Sequence, residues 1–186
     1  MAIRRRLGLA VGGIALAALV AGCGEMKVEE FAGREPAFVL EDWFAGPAEG
    51  WGIMQSRFGT LRRQFRIDAR GKWDADSRTL RLVETYRFDD GSEDRLEWSI
   101  RRLADGRYEG HEPRLVGTAE GRQAGNAFHW VYTRRVPGSD GTRFTFDDWF
   151  WLQPGGVLIA RASVRRFGVE VATMSVFYRR TGPIPE

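Results

Sequence analysis

An alternation with a period of two residues narrows the fold more than any other feature of this chain. Over residues 61–73 the odd positions carry Leu61, Arg63, Phe65, Ile67, Ala69, Gly71 and Trp73, and the even ones Arg62, Gln64, Arg66, Asp68, Arg70 and Lys72. Successive side chains on a strand point to opposite faces, so the pattern describes one buried face and one wet face. The tract "WDADSR" turns the chain, after which Leu80, Leu82, Glu84, Tyr86 and Phe88 share a face opposite Arg81, Val83, Thr85 and Arg87. "DDGS" turns it again, and Leu96, Trp98 and Ile100 alternate with Arg95, Glu97, Ser99 and Arg101 before "ADGR". Asp-Gly tracts of this kind suit tight hairpins. Comparable segments lie at 38–44, 51–58, 115–122, 127–135, 142–152, 157–166 and 169–179, and no long stretch after residue 23 keeps a 3.6-residue period.

About ten short strands with Gly/Asp turns leave a barrel or a sandwich. Hairpin connections favour an all-β, antiparallel up-and-down barrel, because closure removes exposed edges. Such a barrel can hold one small ligand, as lipocalins do, whereas a sandwich has a filled core. Residues 37–180 are read as this single domain and 181–186 as a C-terminal coil.

The N-terminus carries an address. Arg4, Arg5 and Arg6 precede an uncharged apolar run over 7–21, then Gly22 and Cys23, the one cysteine of the chain. A basic start, a short apolar run and a small-residue cleavage site make a secretory signal, and the run is shorter than the roughly 20 residues of a spanning helix. Val20-Ala21-Gly22-Cys23 resembles the bacterial lipobox, which implies a signal peptide over 1–22, an acylated Cys23 and a tether over 23–36. A lone Cys makes no internal disulfide and is free for this use, and several acyl chains anchor stably where one does not. Gly24 rather than Asp follows the Cys. By the sorting preference of enteric-type bacteria, this implies a lipid-anchored protein of the cell envelope, in the outer membrane and facing the periplasm.

Three of the 28 Lys and Arg residues lie in that signal, and the rest match the 25 Asp and Glu, so the mature part is close to neutral. With basic and acidic residues interleaved, no nucleic-acid partner is expected. The expected partners are the membrane, through Cys23, and a lipid or other hydrophobic small molecule; a monomer is expected.

The segments "FAGREPAFVLEDWFAG", "GWGIMQSRFGTLRRQFRID", "GTAEGRQAGNAFHW" and "FDDWFWLQPGGVLIARASVRRFG" resemble a family of bacterial lipoproteins known as domain of unknown function 3833. The resemblance spans nearly all of the mature chain. It implies a lipocalin-like, all-β fold and brings no established activity.

The sequence offers little catalytic chemistry. There are two histidines, His111 and His129, without H-x-x-x-H or C-x-x-C spacing, so no metal or cofactor is expected. No nucleophile elbow, Walker loop or dinucleotide fingerprint is present. Asp147 and Asp148 adjoin, but neighbours on a strand point apart and do not share a proton.

The informative residues are charges on apolar faces: Arg63 among Leu61, Phe65 and Ile67; Glu84 near Leu82, Tyr86 and Trp98; Asp148 among Phe144, Phe146 and Phe150; and Arg161 between Ile159 and Ser163. A buried charge is paired, solvated or functional. These residues therefore form either structural pairs or the polar floor of a ligand cavity, which for a typical ligand would exceed ~300 Å³. Trp149 and Trp151 alternate with the face of Asp148 and are expected to point outward, toward a membrane or partner. Three functions fit: a lipid- or hydrophobe-binding module, an envelope assembly protein with a filled barrel, and a barrel enzyme using Glu84 or Asp148.

Overall fold

The computed structural model describes residues 26–182; the expected signal sequence, Cys23 and the last four residues lie outside them. Ten antiparallel strands run in order around a closed barrel: β1 (Gly46–Ser56), β2 (Leu61–Asp74), β3 (Thr79–Phe88), β4 (Glu93–Arg102), β5 (Arg107–His111), β6 (Ala119–Ala124), β7 (Ala127–Arg135), β8 (Arg143–Leu152), β9 (Leu158–Arg166) and β10 (Val169–Arg180). Each strand pairs with its neighbours in sequence, and β10 closes on β1 through pairs such as Met54↔Met174 and Gly50↔Tyr178. This is the up-and-down barrel that the alternation predicts, and the sandwich is excluded.

The alternation sets the register. Phe65 on β2 faces Phe88 on β3, Leu82 on β3 faces Trp98 on β4, and Tyr132 on β7 faces Phe146 on β8. A slip of one residue would turn Arg66, Arg87 and Arg95 inward, so the charges of the wet face hold the register as firmly as the apolar residues do. The inner face of β1 is Ala48, Gly50, Gly52 and Met54. Its small residues leave room for the rings of Tyr178 and Phe65 to lie across the wall.

Two elements depart from the sequence reading. The segment 38–44, read as a strand, contains a one-turn helix, α1 (Leu40–Phe44). It plugs the barrel end where β2 finishes and β3 begins, burying Leu40, Trp43 and Phe44. Glu41 is 2% exposed and fastens the plug, accepting from Arg102 Nη1 at 2.5 Å and from Tyr108 Oη at 2.8 Å. Second, β5 is a five-residue strand that the alternation does not announce.

The expected tether is also docked along part of its length. A 3₁₀ turn over Val28–Phe31 lies on the outer wall, where Val28 and Phe31 bury against Ala127 and Trp149.

Candidate functional site

Inside the barrel, between the α1 plug and the opposite end, lies a cavity of about 150 Å³. Leu40 and Phe44 close it at the plug. Phe88 and Val136 border it toward the other end, called here the mouth. Its wall is chiefly apolar: Leu82, Leu96, Trp98, Trp130, Phe146, Phe150 and Val176. Trp130 can lie flat across the wall because Gly121 faces it; a Cβ there would sit 2.2 Å from the indole. Trp98 meets Trp130 and Tyr132 edge-on, with centroids 5.8 and 5.2 Å apart.

Set into this apolar wall is a polar cluster. Glu84 on β3 is buried and accepts from Tyr178 Oη at 3.3 Å. Asp148 on β8 accepts from Tyr132 Oη at 3.0 Å through Oδ2, while its buried Oδ1 has no partner among the described residues. Burial raises both acids. Glu84 is pushed up to about 7, against hydrogen bonds from Tyr178 and Trp98 and the charge of Arg134. Asp148 is pushed up to about 8, with the charges of Glu84 and Asp147 adding to burial, and the Tyr132 hydrogen bond and Arg134 opposing it. Burial also lifts Tyr86, Tyr132 and Tyr178 well above the ordinary phenol value, so all three stay protonated. Near neutral pH the cluster can therefore donate as well as accept hydrogen bonds.

Arg134 on β7 supplies the positive charge. It is 5% exposed and reaches Asp94 Oδ2 through Nη2 at 2.6 Å, while its buried Nε has no partner among the described residues. Asp94 also takes Nη1 of Arg114 at 2.6 Å, and Arg114 Nε reaches Glu112 Oε1 at 3.0 Å. The mouth side thus carries a fixed ladder of two arginines and two carboxylates, with one guanidinium N–H left over.

The sequence-predicted residues divide three ways. Glu84, Trp98 and Asp148 line the cavity together. Arg63 shares the inward face of β2 but stands at the rim, held by Asp90 at 2.6 Å and lying over the Phe88 ring, away from Glu84. Arg161 faces outward: the inner face of β9 is Leu158, Ala160, Ala162 and Val164, and Arg161 borders the cavity only as part of the wall between two alanines. Alanines carry too little hydrophobic signal to mark an inner face, so alternation over 157–166 does not by itself show which way Arg161 points. Trp149 and Trp151 do point away from the lumen, but their surface is occupied. Trp149 is buried, stacked on His129 at 4.3 Å, and Phe31 covers both indoles. Tyr86, Tyr132, Tyr178 and Arg134 were not singled out from the sequence. Arg134 had the same signal as Glu84, a charge in line with Phe128, Trp130 and Tyr132.

On the outer wall Asp147 bonds His129 Nε2 at 2.8 Å and lies 3.3 Å from Arg165, back to back with Asp148 across the strand. Among the described residues no group of three or more His, Cys, Asp or Glu is placed to hold a metal ion.

A family model described as protein of unknown function (DUF3833) matches residues 17–180. The chain is a DUF3833 protein. No curated protein matches it. Among solved structures, this DUF3833 chain is similar to the S-type phycobiliprotein lyase CPES from Guillardia theta, with a TM-score of 0.55 over 85% of this chain and 99% of that one. Sequence identity is 10%, so the likeness is one of fold. The DUF3833 barrel is accordingly lipocalin-like.

Proposed function

We propose that this protein is a lipid-anchored envelope lipoprotein whose barrel binds a small amphiphilic molecule at the membrane surface. One observation carries the binding reading. An apolar cavity holds two buried polar atoms with no protein partner among the described residues, Asp148 Oδ1 and Arg134 Nε. Buried polar groups are almost always satisfied, and each exception needs a reason. A ligand head group with oxygen atoms answers both, accepting from Arg134 and exchanging a hydrogen bond with Asp148, while its apolar part lies against Trp98 and Trp130.

Size refines the ligand. At about 150 Å³ the cavity is below the ~300 Å³ expected for a typical ligand and comparable to cavities that take a benzene-sized ring. The part held inside is therefore a ring or short chain rather than a whole lipid. Met54 and Met174 face each other across the β1–β10 seam and line the cavity, and their unbranched side chains can give way to a longer body.

The anchor reading rests on the pattern of residues 4–23, and the wall of the barrel agrees with a domain standing outside the bilayer. The outer face of β2 is Arg62, Gln64, Arg66, Asp68, Arg70 and Lys72, where a lipid-facing strand would be apolar.

Tryptophan emission tests the binding. Ring-bearing quinone-like compounds and short-chain fatty acids should quench or shift it, and Asp148→Asn should change which head groups bind. A flat titration across acyl, sterol-like and quinone-like compounds overturns the reading in favour of an assembly protein.

A second reading has its own support. Two carboxyl groups held near 7 and 8 in one chiefly apolar cavity are suited to general acid–base work. Recovery of the bound compound separates the two: unchanged for a carrier, or converted in a manner lost in Glu84→Gln for an enzyme.

A further inference from the structure

The tripeptide Arg-Phe-Gly occurs twice, as Arg57-Phe58-Gly59 and Arg166-Phe167-Gly168. Both copies form hairpin tips, one joining β1 to β2 and the other β9 to β10. Because β10 closes on β1, the tips are neighbours at the mouth, tied by a hydrogen bond from Arg57 N to Val171 O at 3.1 Å.

Each tip displays its phenylalanine to solvent, Phe58 at 78% and Phe167 at 91% exposed. Each has its own arginine over the ring, at 4.6 Å for Arg57 and 5.1 Å for Arg166. Phe167 is unfavourable on two counts. Its φ is +51°, followed by Gly168 at +79°. A two-residue hairpin with both φ positive favours Asn or Asp at the first position, and a bulky residue there is an outlier. A turn that tolerates both a strained backbone and an uncovered ring points to a use for the ring.

The same two strands extend the apolar surface down the outer wall, where Trp51 on β1 and Phe177 on β10 face each other, both exposed. Arg66 and Arg179 flank the Trp51 ring at 6.0 and 5.5 Å. Among the described residues Arg57, Arg66 and Arg166 form no ion pair; beside them Asp90 pairs with Arg63, and Glu170 accepts from the neutral hydroxyl of Ser163. The stripe is aromatic with free positive charge beside it.

We propose that the two Arg-Phe-Gly tips and the Trp51 stripe form a docking surface for an anionic bilayer, with the rings entering the headgroup boundary and the guanidiniums on phosphate. Aromatic rings favour that boundary, and basic side chains favour anionic lipid. This surface replaces Trp149 and Trp151 as the membrane-facing aromatics, and it stands independently of what the cavity holds. It would set the mouth toward the membrane.

The test reconstitutes the protein extracted from membranes, with the N-terminus it carries there, into vesicles of phosphatidylcholine with or without phosphatidylglycerol, using bromine-labelled acyl chains that quench tryptophan on contact. Quenching should be several-fold stronger with phosphatidylglycerol at low salt. Trp51→Phe should abolish it, and Phe58→Ser with Phe167→Ser should reduce it by roughly half or more. Both tip positions are exposed, so these variants keep the fold. Arg57→Gln with Arg166→Gln should weaken the dependence on lipid charge, and adding Arg66→Gln should weaken it further. Quenching that is unchanged in Trp51→Phe, or unaffected by the tip variants, overturns the proposal. A chain that floats with the vesicles yet shows no quenching overturns this surface alone and points to a protein partner for it. A chain that does not float overturns the anchor as well.

Discussion

Glu84 and Asp148 tie the stability of the barrel to pH in a direction opposite to that of most carboxylates. Ordinary carboxyl groups ionise near pH 4, whereas burial holds these two at about 7 and about 8 in the folded chain. Between those limits the folded state binds protons that the unfolded state has released. Stability contributed by the pair is fully present below about pH 4 and declines as pH rises, levelling off above about pH 8. The denaturation midpoint should therefore be lower near pH 8.5 than near pH 5.5. Glu84→Gln and Asp148→Asn should flatten that slope, each gaining roughly 1–3 kcal/mol over the parent at the alkaline end and little at the acid end. Denaturant curves at both pH values check this, and a midpoint that rises with pH would mean that the acids are ionised and paired in the native state. Both residues were legible in the sequence because a charge interrupts an otherwise apolar face. Their phenolic partners were not, since Tyr86, Tyr132 and Tyr178 fit an apolar face without contradiction, and nothing local announces that their hydroxyls converge. Arg134 was legible by the same rule as Glu84, yet 127–135 was read only as a strand.

At the level of elements, the plug is the part of the fold that sequence periodicity could not foresee. Five residues make little more than one helical turn, too short for a 3.6-residue period to stand out from alternation. Leu40, Glu41, Trp43 and Phe44 are buried and Asp42 alone is exposed, too narrow a wet face to betray a helix. The ten-stranded barrel was legible because its strands are long, its outer face is charged and its turns carry Gly and Asp. The short β5 lacked the length, and the docking of Val28 and Phe31 was hidden in an otherwise polar stretch. The plug rests on Gly71, near the end of β2. A Cβ at that position would lie 2.1 Å from the carbonyl oxygen of Phe44, a backbone atom that no rotamer change can move. Gly71→Ala should therefore cost about 1–3 kcal/mol and unseat α1. Calorimetry reads the loss, and tryptophan emission should shift to the red as Trp43 gains water. A variant with unchanged melting and emission would show that α1 does not sit against β2 as described.

For the whole molecule, closure separates folding from location. Strand edges are the ordinary route by which a sheet seeks a partner, and here β1 and β10 satisfy each other. Residues 46–180 supply every strand pairing of the barrel, and the plug and docked turn add apolar cover from residues 28–44. Cys23 lies well before the first strand in sequence and outside the described residues. Cys23→Ser should accordingly move the protein from the membrane fraction to the soluble fraction of the envelope while leaving its unfolding free energy within about 0.5 kcal/mol of the parent. Fractionation with a melting curve on each form checks both halves. A released protein that melts much earlier would mean that the membrane is part of the fold, and one that stays bound without acylation would mean that the anchor is elsewhere. Release should also be graded by salt. An aromatic and basic surface alone holds a protein weakly, and salt screens its charges, so the residual bound fraction of Cys23→Ser should wash off at high ionic strength and vanish when Phe58 and Phe167 are replaced by Ser. On the proposed reading the acyl chains would fix the protein to the membrane and the hairpin tips would orient it, leaving the cavity open to its ligand.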